Sequence, residues 1–255
     1  MLKNYIKTAF RTLIKSRSYT VINITGLAIS LTASVLLLLW VTDELSYDRM
    51  HSKADRIYVA AAGIGKGKDQ IWSVTSAPLA IFGKAEIPAI EDACRISTFN
   101  NSILLEYQDK KFNEPSIYVD QNFFEIFDFK LLEGNPAQPF PDNRSIVLSK
   151  TTAEKYFGNQ PAMGKIVQVR EGHAYKVTGV MENMPKNSSL QFPLMMSFDV
   201  LAENRAQNPL NADWGNLNYQ TYFLLKAGTD PVAVGKQLAD IHRKNQPADF
   251  WKDLN

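Results

Sequence analysis

The sequence predicts an α+β fold in which one N-terminal transmembrane helix precedes a strand-rich exported domain. Three observations carry this reading. Residues 18–42 are 25 consecutive uncharged positions in a chain of 255. Short alternating runs bounded by turn residues fill the middle of the chain, as half-buried strands do. Apolar residues at helical spacing recur near both ends.

The uncharged run sets the membrane topology. At 1.5 Å per residue, positions 21–41 cover about 30 Å, the hydrocarbon thickness of a bilayer. Trp40 sits where an interfacial aromatic belongs. A cleaved signal peptide fits poorly: the run is too long for its apolar core, no small-x-small site follows, and 17 residues precede it. Lys3, Lys7, Arg11, Lys15 and Arg17 lie before the span, whereas Asp43, Glu44 and Asp48 follow it. The positive-inside rule therefore places the N-terminus in the cytoplasm and exports residues 43–255.

Residues 1–17 carry a pattern of their own. Leu2, Ile6, Phe10 and Leu13 fall on one helical face, and Lys3, Lys7, Arg11 and Lys15 recur every four residues on another. This predicts a basic amphipathic helix lying on an anionic inner leaflet. Within the span, Gly26, Ser30 and Ser34 share a face at spacing four. Small residues let another helix approach closely, so this face predicts a transmembrane neighbour.

Beyond the span, residues 43–56 read as a polar helical stalk and the next six as a strand. Residues 63–70 read as a loop, and residues 76–93 as a helix interrupted near Pro88. Hairpins are expected around Asp109-Lys110 and across Glu171-Gly172. Phe123, Phe124, Phe127 and Phe129 read as core. Ser149 is a helix N-cap, and Gly158 ends that helix. Residues 190–197 and 221–225 are strands, and Val232, Val234, Leu238 and Ile241 mark a helix over 231–243. The strand-rich part spans about 98–215.

Composition and motif searches exclude several classes. Removing the five leading cations from 28 leaves 23 against 26 acids, so the remaining 238 residues are slightly acidic and predict no nucleic-acid partner. The single Cys94 allows no internal disulfide and reads as a small buried residue. GIGKGKD at 63–69 is no phosphate loop, because three residues separate Gly63 from Gly67 and Asp69 follows Lys68. His51, His173 and His242 have no metal-ligand spacing, and no nucleophile elbow or zinc-protease motif occurs. The expectation is a non-enzyme without cofactor, metal or catalytic residues.

Segments 10–51, 54–58, 145–167 and 177–198 together resemble FtsX/MacB-like ABC transporter permeases of the Bacteroidetes type. FRTLIKSRSYTVINITGLAISLTASVLLLLWVTDELSYDRMH at 10–51 is similar to the family's first transmembrane helix, continued by ADRIY at 54–58. SIVLSKTTAEKYFGNQPAMGKIV at 145–167 and VTGVMENMPKNSSLQFPLMMSF at 177–198 resemble two further family elements, and Asp213-Trp214 with residues 219–225 a late strand. The resemblance implies a cytoplasmic elbow (1–17), a transmembrane helix (18–42), a stalk (43–56) and a MacB-like periplasmic core domain (57–255). In that domain a porter-like α/β subdomain carries the strand-rich insert. Gly158, Gly164 and Gly179 are then turn or close-approach positions, and Pro161 and Pro185 fix turns.

The resemblance further implies a permease subunit of an export or mechanotransmission system in the bacterial inner membrane. Its partners are a cytoplasmic ABC ATPase and a second permease in a homodimer or pseudo-dimer, with room for a periplasmic adaptor or outer-membrane component. Lipoproteins, peptides, macrolide-like drugs and envelope signals all fit as cargo. Family permeases carry at least three further spans, none of which appears here, so the sequence reads as an N-terminal portion. A single-pass anchored binding or sensing module is the alternative reading.

Overall fold

The computed structural model describes residues 2–64, 70–97, 102–169, 172–203, 205 and 209–246. They form two compact units, residues 1–49 and 50–255.

The first unit is two helices, α1 (Leu2–Lys15) and α2 (Arg17–Ser46). Ser16, at φ −107° and ψ 54°, interrupts the helical path between them. The break is bridged locally: Thr20 Oγ1 donates to Leu13 O at 2.8 Å. None of the 30 residues of α2 is buried. At about 45 Å it is long enough, and apolar enough, to cross a membrane. α1 presents Ile6, Phe10 and Leu13 as exposed apolar side chains. The polar stalk is helical only to Ser46, not to residue 56 as the sequence pattern suggested. Turns follow, with Asp48 at φ +54°, a left-handed conformation that aspartate tolerates better than most residues. A single 3-10 turn, Ala54–Arg56, then leads into the domain.

The second unit contains, in chain order, β1 (Ile57–Val59), β2 (Ala62–Ile64), β3 (Gln70–Trp72), α3 (Pro78–Glu86), β4 (Ile90–Ser97), β5 (Ser102–Tyr107), β6 (Lys110–Val119), α4 (Phe123–Ile126), β7 (Leu131–Glu133), β8 (Ser145–Ser149), α5 (Lys150–Phe157), β9 (Ile166–Val169), β10 (His173–Met181), β11 (Leu194–Ser197), β12 (Gln220–Leu225) and α6 (Pro231–Asn245). The expected strand after residue 56 is split into β1 and β2. Residues 65–69, at the centre of the expected loop, lie outside the described residues. The helix expected over 76–93 stops at Glu86. Pro88 forces Ile87 into an extended conformation (φ −109°, ψ 102°), and the run after it is strand β4. β4 is buried along almost its whole length, which hides the period-two pattern that would have marked it.

Pairing runs β1-β12-β4-β6-β11-β8-β10-β9-β5, with β7 added on β10. Because β5 also pairs with β6, the strands β6, β11, β8, β10, β9 and β5 close into a ring. Closure removes the free edges that an open sheet would leave. Alternate residues from all six strands fill the interior, among them Leu105, Tyr118, Ile146, Leu148, Val167, Val177, Leu194 and Met196. The intervening residues face outward. Val147 and Met195 join Ile96, Ile117 and the four phenylalanines of 123–129 in a second cluster. α3 and α6 cover the other face of β4 and β12, where Phe223, Leu225, Leu238 and Ile241 pack together. Cys94 lies in the second cluster. Burial, then the nearby Asp120 charge, pushes its thiol pKa well up.

The β7–β10 junction depends on backbone approach. Gly134 has φ +111°, and a Cβ there would lie 2.6 Å from the Thr178 carbonyl oxygen. Gly134→Ala is expected to destabilise the domain by about 2–4 kcal/mol, read as a fall in the urea midpoint. A substitution within about 0.5 kcal/mol of neutral contradicts this packing.

Candidate functional site: the clamp at residues 50–56

The segment that enters the domain from α2 is fixed by side chains. Met50 packs against the phenylalanine cluster. The next residue, His51, is buried, and its ring meets Phe127 and Phe129 edge-on at 5.4 and 5.0 Å. Its Nδ1 accepts the Asp128 backbone N–H at 3.1 Å. That bond fixes Nδ1 as an acceptor, so a proton on the neutral ring sits on Nε2. The Ser52 N–H donates to the Asp128 carboxylate. Lys53 Nζ donates to Glu125 O at 2.6 Å, at the end of α4. Arg56 Nη1 reaches both Glu91 Oε2 (2.6 Å) and Leu225 O (3.1 Å), tying the segment to β4 and β12.

Three kinds of force act together here. Ring contacts supply apolar burial, backbone amides take charged or ring acceptors, and two cations bind carbonyls. The sequence expected polar residues of a stalk; the structure uses four of them as anchors. Desolvation pushes the Asp128 carboxyl up, but the hydrogen bonds from Ser52, helped by His51 and Lys53, outweigh it and leave its pKa below the ordinary value. A depressed folded pKa stabilises the fold above the unfolded carboxyl pKa of about 3.9. The contribution is lost as pH falls through the folded value. From about pH 5 downward, the wild-type urea midpoint is therefore expected to fall more steeply than that of Asp128→Asn. Parallel pH curves for the two proteins refute the Asp128 contact.

The domain also holds a buried ionic hub. Arg95 of β4, 6% exposed, faces Asp120 just after β6. Nε to Oδ2 is 2.9 Å and Nη2 to Oδ1 is 2.7 Å, and the Arg95 backbone N–H also donates to Oδ2. Nη1 donates to Asn211 Oδ1 at 2.6 Å, and the guanidinium carbon lies 4.3 Å from the Phe198 ring centre. One residue thus joins β4, the end of β6 and two 3-10 turns. In the interior cluster of the strand ring, the Tyr156 hydroxyl donates to Glu114 Oε1 of β6 at 2.9 Å, which Lys155 Nζ also contacts at 2.6 Å. Burial first, then Glu114, raises the Tyr156 pKa.

The structure scatters the residues singled out from sequence. Lys3, Lys7, Arg11 and Lys15 recur along exposed α1. Gly26 has open space around its Cβ position, and Ser34 Oγ donates to Ser30 O at 2.9 Å within α2. Gly158 closes α5, its N–H donating to Glu154 O, and the Gly164 N–H donates to Val177 O. Pro161 lies in the connection between those two glycines. Gly179 sits in β10, where a Cβ would lie 3.1 Å from Val147 Cγ2. Pro185 O accepts the Ser188 N–H at 3.1 Å in a turn. His51 and Asp128 were not paired by the sequence reading. Their only sequence signal is a histidine beside the span and an acid within a phenylalanine run.

A basic amphipathic helix, an apolar helix long enough to cross a membrane and an α+β domain with a closed strand ring are the parts that the structure describes. Residues 20–241 match the MacB-like periplasmic core domain, and the chain belongs to that family. Its members are permease components of ABC transporters, which are not themselves the ATPase. No curated protein matches the chain.

Solved structures share the fold. A domain of a permease protein from Porphyromonas gingivalis has TM-score 0.66 and 23% identity, over 78% of this chain and 88% of that one. The periplasmic region of MacB from Actinobacillus actinomycetemcomitans has TM-score 0.55 and 15% identity, over 74% and 83%. The extracellular domain of the noncanonic ABC-type transporter YknZ from Gram-positive bacteria has TM-score 0.53 and 14% identity, over 74% and 94%.

Proposed function

We propose that these residues are the first span and periplasmic domain of a permease subunit in an ABC-type export or mechanotransmission system. The N-terminus is cytoplasmic, α1 lies on the inner leaflet, and residues 43–255 are periplasmic. A cytoplasmic ATPase moves α2, and the clamp passes that movement to the domain, which acts on a periplasmic or envelope substrate. A second permease completes the membrane assembly. The carrying observation is the clamp: a segment that follows a membrane helix and is held at five points within residues 50–56 does not act as a slack tether.

The assembly test is co-purification of the full-length protein with the ATPase encoded beside it, followed by ATP hydrolysis measurements. Replacing Gly26, Ser30 and Ser34 together with leucine is expected to abolish that association, since bulk on a small-residue face keeps helices apart. Gly26 has open space around its Cβ position and no residue of α2 is buried, so the leucines enter no packed site of this chain. Unchanged assembly would rule out this face as the contact.

A further inference from the structure

The clamp uses His51 in its neutral form. Nδ1 accepts the Asp128 N–H at 3.1 Å, and the ring is buried against Phe127 and Phe129. A protonated Nδ1 is a donor and cannot accept that N–H. We propose that the clamp is a proton-operated switch: a proton on His51 Nδ1 ends the bond to the Asp128 N–H and loosens residues 51–52 from the domain. The consequence for transport rests on the coupling role proposed above; the switch itself does not.

Three features of this corner set the direction of the switch. First, the neutral ring already carries a proton on Nε2, so the next one enters at Nδ1. Two donors then face each other across 3.1 Å. Second, two phenylalanine rings flank the histidine, and burial there strips water from a charged imidazolium. Third, the surrounding charges are of mixed sign. The Asp128 carboxylate favours a charged ring, whereas Lys53 on the same segment opposes it. Asp48 and Arg49, just before the segment, carry opposite signs. α4 meets the segment through the Glu125 carbonyl, which Lys53 contacts.

The attraction of Asp128 does not rescue the clamp. That residue is exposed, so its pull on a charged ring is screened. Its carboxylate also accepts the Ser52 N–H. A protonated ring that turns toward it competes with Ser52 for the same acceptor, so either course loosens a clamp bond. The loosened ring takes the proton more readily than the clamped one. Protection of the clamp therefore falls as pH drops below the ordinary histidine value of about 6.5. Asp128 is held below the usual carboxyl range and stays ionised through this interval, so the two titrations separate.

The test is amide exchange in the full chain in detergent micelles, with rates corrected for the intrinsic effect of pH on exchange. Protection at Ser52 and Asp128 is expected to fall about tenfold between about pH 7 and about pH 5.5, while β8 and β11 keep theirs. His51→Asn keeps an acceptor but takes no proton, and its protection at Asp128 is expected to stay constant over this range. Asp128→Asn keeps the backbone N–H and the titrating ring, and the fall at residue 128 is expected to persist. Nitrogen-15 shifts of the His51 ring give a readout that needs no variant: the proton is expected to reach Nδ1 over the same interval. Equal wild-type protection at the two pH values overturns the proposal, as does a ring that stays neutral throughout. An undiminished fall in His51→Asn also overturns it, because the titrating group then lies elsewhere. None of these measurements involves the ATPase, so a failed switch and a failed assembly test are told apart.

Discussion

Asp120→Ala is expected to lower the unfolding free energy of the domain by about 3–5 kcal/mol, the usual cost of stripping one partner from a buried ion pair. The Arg95 side chain is 8% exposed and that of Asp120 is 18% exposed, so water cannot take over the lost contacts cheaply. Three Arg95 donors lose their acceptor at once, counting the backbone N–H. The cation then remains beside Phe198 and Asn211 with no counter-charge. Asp120→Asn keeps the shape and one acceptor and is expected to fall between wild type and alanine. Urea denaturation of residues 50–255 measures the series. That stretch is a compact unit with its own core. A cost below about 1 kcal/mol for Asp120→Ala would mean that the hub is solvated, as exposed pairs are.

His51→Ala is expected to release the clamp. The substitution removes two edge-on ring contacts, leaves a void against Phe127 and Phe129, and strips the acceptor from the Asp128 N–H. These losses amount to about 2–4 kcal/mol. Amide exchange at Ser52 and Asp128, whose N–H groups the clamp holds, is expected to rise toward unprotected rates, while β8 and β11 in the ring keep their protection. His51→Asn places a side-chain oxygen near the Nδ1 position and is expected to recover the Asp128 N–H protection but not the ring contacts. If His51→Ala leaves exchange at Ser52 unchanged, the remaining anchors at Lys53 and Arg56 suffice to hold the segment.

Local signals carried much of this fold. Ser149 caps α5, with Oγ accepting the Thr152 N–H, and the strands flanking both expected hairpins pair in antiparallel register, although residues 170–171 of the second lie outside the described residues. Asp230 and Pro231 open α6. Such features need only neighbours within one turn. The helix expected through residue 93 failed because Pro88 ended it and a doubly buried strand has no alternation to read. Ring closure was invisible for another reason: it requires β5 to pair with both β6 and β9, and Leu105 meets Val169 across more than sixty residues. The clamp joins His51 to a position 77 residues away. A lone histidine and an acid among phenylalanines carry no mark of pairing. Family resemblance supplied the class of domain, and packing supplied the joint.

The most direct test of transmission through the clamp uses the assembled transporter in proteoliposomes, spin-labelled at Val232, an exposed position on α6. Inter-subunit distances are measured without nucleotide and after trapping with ATP and vanadate. The wild type is expected to show a nucleotide-dependent shift. His51→Ala is expected to hydrolyse ATP yet show no shift, because the segment that carries the movement is no longer held to the domain. A full shift in His51→Ala, at equal ATP turnover, would contradict the account.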